Sequence, residues 1–418
     1  MNFAHFNGCE MKNINNVDIQ QLADRFGTPL YVYDADKITR NYHTLKNAFT
    51  KHYENTQIHY SVKANSNMHV IKHFKELGSG VDCSSPLELY LAEQAGLSED
   101  LTLYTGNYES QDDFRAIRGK NIKINLDDIN SFHRLSKIFT PEQIAFRINP
   151  GIGRGGYEGI TTAGTDAKFG VPYERAYDAY KLAMDKGIKR FGIHMMTGSN
   201  NLEPYYFAEV VEKLMKIAGS IFNKLGIVPE YVDIGGGLGI PYEHDEEELN
   251  IEMTAELVSE IFRERCKKYG FGEPKLILEP GRYLVANAGY LISRVTGIKN
   301  SYKTFVGVDA GMSTLLRPAL YGANHKVYVY GKTELEQNVN LCGQICENSD
   351  IFAKNVFMPV TEEGDLLIFG DVGAYGYVMA SNYNNRLRPA EVLIKDEEPK
   401  LIRRREKPED LLALYNLD

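Results

Sequence analysis

From about residue 30 to residue 285, short apolar runs alternate with amphipathic segments. Eight of the runs read as strands: 58–63, 80–83, 101–105, 122–126, 144–149, 191–196, 231–234 and 276–279. The stretches between them carry apolar residues at i, i+3 and i+4, as in 68–77, 86–95 and 173–184, and read as helices. Strand–helix repetition builds a parallel sheet, and eight units close into a (β/α)8 TIM barrel. After about residue 286 the period changes. Runs at 304–308, 326–329, 338–342, 366–369 and 392–394 are separated by turn-rich pieces without regular helices. They predict a C-terminal, mainly antiparallel β domain. The α/β chain therefore divides into a barrel over 30–285 and a β-rich domain over 286–418. Residues 1–29 are expected to lend an element to the latter, since chain ends often lie together.

Composition narrows the function classes. The formal net charge of −9 over 418 residues argues against nucleic acid as a partner. The run Arg403-Arg404-Arg405 is short, flanked by acids, and reads as a solvated face. The five cysteines are Cys9, Cys83, Cys266, Cys342 and Cys346. They are odd in number and lack zinc spacing, which argues against a disulfide scaffold and against a metal site. No stretch approaches the ~20 apolar residues of a membrane span. The N-terminus has no basic-then-apolar signal pattern. A cytoplasmic protein with no membrane partner is expected.

Barrel chemistry gathers at the C-terminal ends of the strands. Lys63, Asp82, His194, Ser199, Gly235-Gly236-Gly237 and Glu279 fall there. Each has an ordinary alternative. A strand-end lysine is commonly just solvated, a glycine run is commonly a tight turn, and Glu279 could simply pair with Arg282. Together they describe a site for pyridoxal phosphate. Lys63 could hold the cofactor aldehyde as a Schiff base. Glycine backbone admits a phosphate at close range. A carboxylate at 279 could keep the pyridine nitrogen protonated. The glycine run does not fit a dinucleotide fingerprint, because Pro241 follows closely and no helix opens there. The β domain adds Arg317, Pro318 and Tyr321 in one loop, Cys346-Glu347-Asn348-Ser349-Asp350 after a short strand, and Gly373-Ala374-Tyr375-Gly376. A cysteine beside acids is usually an inert small residue. Once set against a substrate carbon it can also donate a proton.

These motifs together resemble the diaminopimelate decarboxylase family, pyridoxal phosphate enzymes related to ornithine decarboxylase and alanine racemase. The matching pieces run in family order along nearly the whole chain. They are 60–65, Thr105-Gly106-Asn107, Arg147-Ile148-Asn149-Pro150, Lys168-Phe169-Gly170, 233–237, 279–282, 317–321, 346–350, 373–375 and Ser381-Asn382-Tyr383-Asn384. The resemblance implies an alanine-racemase-type barrel binding pyridoxal 5'-phosphate, and decarboxylation of meso-2,6-diaminopimelate to L-lysine and CO2. It implies that Lys63 binds the aldehyde and Glu279 faces the ring nitrogen. Ser199, Gly236 and Gly237 would cradle the phosphate with Tyr375 nearby, and Asp82, His194, Gly281 and Arg282 would complete the cofactor site. Arg282, Arg317 and Tyr321, with Tyr375, would hold the far carboxylate of the substrate, and Glu347 its far amine. Cys346 and Glu347 would reach in from a second subunit, making a homodimer with shared active sites.

One position departs from the family pattern. The residue two after His194 is usually a histidine that stacks on the cofactor, and here it is Met196. That departure keeps a second substrate class in view: D-lysine, D-ornithine, lysine, ornithine or a carrier-tethered acyl group. A non-catalytic regulatory homologue is a third reading, which the presence of Lys63 and Cys346 opposes.

Overall fold

The computed structural model describes residues 4–6, 10–151, 153, 162–243 and 245–416, with the backbone alone at 4–6. Cys9 lies outside the described residues. The chain divides into two compact units. One comprises Asn41–Ile240 and Glu247–Leu284; the other comprises Met1–Arg40, Pro241–Glu246 and Val285–Asp418.

The first unit is a closed barrel of eight parallel strands. They are β1 (Thr56–Ser61), β2 (Gly80–Cys83), β3 (Thr102–Thr105), β4 (Lys123–Leu126), β5 (Gln143–Phe146), β6 (Arg190–His194), β7 (Tyr231–Asp233) and β8 (Lys275–Leu278). Each pairs with its neighbour in sequence, and β8 closes on β1 through Leu276 opposite Thr56. Alternation sends every second side chain inward. Leu103, Ala145, Tyr231 and Ile277 thereby form an apolar plug in the barrel interior. Buried polar residues lie opposite the plug in the ladder: Asp82 pairs with Leu103, Asn125 with Ala145 and Asp233 with Ile277. The helices outside start where the sequence supplies caps. The Asn67 side chain accepts the His69 N–H before the helix Met68–Glu76. Ser85 accepts the Glu88 N–H before Pro86–Gln94, which has proline in its first turn.

Three strands end two or more residues before the apolar runs that predict them, and β6 is one of these, stopping at His194 short of Met196. β1 ends at Ser61, and Lys63 lies beyond it in a single 3-10 turn over Val62–Ala64. The predicted run 144–149 divides at Arg147. Gln143–Phe146 stays in the barrel, while Ile148–Asn149 leaves it to pair with Val171–Pro172. After β1 the apolar pattern continues because burial continues at Val62 and Ala64, although the ladder has ended, whereas Arg147 keeps a parallel bridge to His194.

The second unit is built on a ten-stranded sheet with six antiparallel and three parallel pairings among the described residues. Its longest strand, Gly289–Asn300, lies between Leu366–Phe369 and Leu30–Asp34 and also pairs with Thr304–Val308. Leu30–Asp34 is buried at all five positions and pairs parallel with Ala390–Lys395. A continuous apolar run of that kind suits a central strand. Two apolar clusters line the unit, one around Val306, Leu341 and Phe369, the other around Leu30, Ile292 and Val392.

Candidate active site

Nine of the residues expected from the sequence belong to the barrel unit: Lys63, Asp82, His194, Ser199, Gly236, Gly237, Glu279, Gly281 and Arg282. The turn bearing Lys63 is tied down on both sides. Tyr60 stacks on Phe74 at 3.9 Å, and its hydroxyl donates to Asn65 O. Ser61 Oγ lies within hydrogen-bonding distance of Glu279 O (2.8 Å) and Asp82 Oδ2 (3.1 Å). Lys63 Nζ reaches Asp82 Oδ2 at 2.7 Å, and Asp82 is fully buried. Burial raises the Asp82 pKa, and the Glu279 carboxylate adds to that; Lys63 pulls the other way.

Opposite them, His194 Nε2 and Glu279 Oε2 are 3.2 Å apart, both buried. A carboxylate only accepts, so Nε2 carries the hydrogen. Ligand atoms of His194, Asp233 and Glu279 all lie within 4.8 Å of one another. Two carboxyls and an imidazole in so small a buried volume cannot carry two negative charges cheaply. Burial and the Glu279 charge push the Asp233 carboxyl well above its ordinary range. Burial alone would raise Glu279 too, but His194, Lys63 and Asp233 hold it down. Asp233 is therefore the protonated member and Glu279 the ionised one. Asp233 also accepts the Gly235 N–H at 2.9 Å, which sets the start of the glycine run.

That run and the loop after β6 lie against each other. Asn201 N donates to Gly237 O at 2.9 Å, and Ile240 N to Asn200 Oδ1 at 3.0 Å. A Cβ on Gly236 would sit 2.3 Å from Glu279 O, so only glycine fits there. Gly237 has φ +92°. Arg282 Nη2 donates to Ser199 Oγ at 3.2 Å, which puts a guanidinium and a hydroxyl beside the glycine backbone. Met196 Sδ accepts the Gly236 N–H at 3.2 Å.

These features fit pyridoxal phosphate. Asp82 Oδ1, Glu279 Oε1 and His194 Nδ1 are buried polar atoms that make no hydrogen bond among the described residues. Such atoms are costly unless a ligand satisfies them. A ring N–H would meet a carboxylate, and the glycine backbone with Ser199 and Arg282 would meet a phosphate.

The remaining expected residues belong to the sheet unit. Arg317 opens the short helix Arg317–Tyr321, with Tyr321 one turn on. Arg317 is buried; its Nη1 lies 3.2 Å from His325 Nε2, and its Cζ lies 4.7 Å over the Tyr242 ring. Cys346 and Glu347 are both exposed. Cys346 N donates to Asn384 Oδ1, and Glu347 accepts from the Tyr383 hydroxyl. Tyr375 has φ +56°. Asp233 stands in the matched piece 233–237 but has no role from sequence, and His325 and Tyr242 were not singled out. Inward parity on β7 could have found Asp233; no local pattern marks the other two.

Comparison with known proteins agrees with this chemistry. Residues 35–286 match the family model described as pyridoxal-dependent decarboxylase, pyridoxal binding domain. The diaminopimelate decarboxylase of Methanothermobacter thermautotrophicus is 43% identical over 97% of this chain and 95% of its own. The structure of diaminopimelate decarboxylase from Methanocaldococcus jannaschii in complex with L-lysine superposes with a TM-score of 0.89. It is 34% identical and covers 97% of this chain and 96% of that one. The Helicobacter pylori enzyme complexed with L-lysine gives 0.87 at 32% identity, covering 95% and 99%. The chain belongs to the diaminopimelate decarboxylase family of pyridoxal-dependent decarboxylases.

Proposed function

We propose that this protein removes CO2 from meso-2,6-diaminopimelate and releases L-lysine, using pyridoxal 5'-phosphate. Membership of the family supports the reaction. One observation carries the substrate. Arg317 is a buried guanidinium with no carboxylate within ion-pair distance among the described residues. A buried cation with no carboxylate in contact is costly, on the scale of the ~3–5 kcal/mol for a broken buried pair. A substrate carboxylate at the far end from the reacting carbon would supply that contact through two parallel hydrogen bonds. Diaminopimelate has such a carboxylate; lysine and ornithine do not.

Pyridoxal phosphate, when bound, supplies an aldehyde for the substrate amine and a ring that accepts electrons from the breaking bond at Cα. The protein's own groups do the rest. Lys63 would present its amine to the aldehyde, oriented by Asp82. Glu279, kept ionised by His194, would hold a proton on the ring nitrogen. Gly236, Gly237, Ser199 and Arg282, with Gly281 just before the short helix Arg282–Val285, would fix the phosphate. Arg317 and Tyr321, with Tyr375, would hold the far carboxylate, and Glu347 the far amine. Cys346 Sγ would return a proton to Cα.

Cys346 and Glu347 are exposed on the single chain. A proton donor works best away from water, so their exposure supports a homodimer in which each copy covers the other's site. Among the described residues no helix is long and apolar enough to cross a membrane. The described cysteines are all free thiols, which supports a reducing, cytoplasmic setting.

The substrate assignment is tested with Arg317→Met. The variant should raise KM for diaminopimelate by ~10²-fold or more while binding pyridoxal phosphate normally. Equal losses of both would refute the assignment.

A further inference from the structure

We infer that His325 is a positioning residue for Arg317, and that it does this only as the neutral imidazole. The inference rests on the reading of Arg317 as the group that receives the substrate's far carboxylate.

His325 begins the strand His325–Val329 and is 2% exposed. Its Nδ1 lies 3.0 Å from Gly370 O. A carbonyl oxygen has only lone pairs, so Nδ1 carries the hydrogen. Its Nε2 lies 3.2 Å from Arg317 Nη1. A guanidinium only donates, so Nε2 must offer a lone pair. The two contacts together select one tautomer of an uncharged ring. An imidazolium would set N–H against N–H and a positive charge beside another.

Tyr242 completes the arrangement. Its ring meets His325 edge-on at 5.6 Å and 82°, and its face lies under the Arg317 guanidinium. His325 thus takes one edge of the guanidinium and Tyr242 takes one face. The remaining N–H groups are left for a planar acceptor. The other titratable groups nearby are engaged elsewhere. Asp371 pairs with Lys326 at 3.1 Å, and Lys37 and, outside contact distance, Arg317 add further positive charge near it. Glu243 accepts from the Asn324 side chain. Tyr31 donates to Thr314 O. A purely structural arginine in this place would be expected to have a carboxylate partner. Arg317 has instead a neutral acceptor, which orients the guanidinium without consuming its charge.

Protonating His325 should therefore misplace Arg317 and weaken substrate binding at acid pH. The substrate's own carboxylates and amines titrate well outside roughly pH 5.5–8, so they do not imitate this effect. The test is the pH profile of KM for diaminopimelate on the cofactor-loaded enzyme. Wild type should show KM rising as pH falls through a single titration, with kcat changing far less. His325→Gln keeps an acceptor that cannot be protonated, so it should remove the step and keep KM near the wild-type alkaline value. His325→Leu removes the acceptor and should raise KM roughly ten- to a hundredfold at every pH, with cofactor affinity retained.

A flat wild-type KM profile would overturn the inference, and so would the same step surviving in His325→Gln. Arg317→Met separates the two layers. If it leaves KM unchanged, the reading of Arg317 itself is wrong. If it raises KM while His325→Leu does not, only the role of His325 fails.

Discussion

Lys63 Nζ lies 2.7 Å from Asp82 Oδ2, and that carboxylate is sealed from solvent while the lysine side chain is partly open to it. The pair joins the turn after β1 to the end of β2. It holds the amine at the mouth of the barrel, where a ligand can reach it. Lys63→Ala should therefore abolish covalent attachment of pyridoxal phosphate. Mass spectrometry after borohydride reduction should find the adduct on Lys63 in wild type and nowhere in the variant. An adduct on another lysine would assign the role elsewhere.

The carboxyl pair Asp233 and Glu279 gives a prediction with opposite outcomes for similar changes. Glu279→Gln removes the charge opposite the ring nitrogen and should lower kcat by ~10²-fold or more. Asp233→Asn replaces a group that is already neutral, so kcat should fall far less. Stability discriminates further. The folded-state pKa of Asp233 is raised above its unfolded value. Its contribution to stability is then full below the ordinary carboxylate pKa and is lost as pH rises towards the folded pKa. At neutral pH, Asp233→Asn should be at least as stable as wild type in thermal unfolding. A variant markedly less stable at pH 7 but not at pH 4 would mean that Asp233 is ionised.

The barrel was legible in the sequence because its strands are buried on both faces and read as short continuous apolar runs. The run 80–83 predicts β2 at both ends. Lys63 was misplaced onto a strand because the turn Val62–Ala64 carries the same apolar pattern as the ladder before it. The strands Leu30–Asp34 and Gly289–Asn300 were not read, although they are central to the second sheet. The first sits just before a helix and resembles the start of a barrel repeat. The second is long and mixes buried with exposed positions. Most candidate residues were legible because glycine, lysine and carboxylate at strand ends are unusual. His325 and Tyr242 were not, because their meaning lies in what each faces across the fold.

Cys346 is exposed on one chain, which makes its proposed role depend on a second copy. Cys346→Ala should slow turnover by ~10²–10⁴-fold. Mixing it with inactive Lys63→Ala should restore activity, because one of the two shared sites would then be intact. Mixtures that stay inactive, with subunit exchange shown by mass, would refute a shared site.

Met196 Sδ accepts the Gly236 N–H in the glycine run. Met196→His should free that N–H and offer an aromatic face to the cofactor. A stacked pair contributes ~0.5–1.5 kcal/mol. The dissociation constant for pyridoxal phosphate, measured by absorbance titration, should therefore fall by up to about tenfold. An unchanged or weaker affinity would show that the thioether serves the site as well as a ring would.

The most direct test supplies the purified protein with pyridoxal phosphate and meso-2,6-diaminopimelate, and follows CO2 and L-lysine together. The account predicts one L-lysine for each CO2, with no turnover of lysine or ornithine under the same conditions. Cofactor bound to Lys63 without lysine formation, or a preference for an amino acid lacking the far carboxylate, would contradict it.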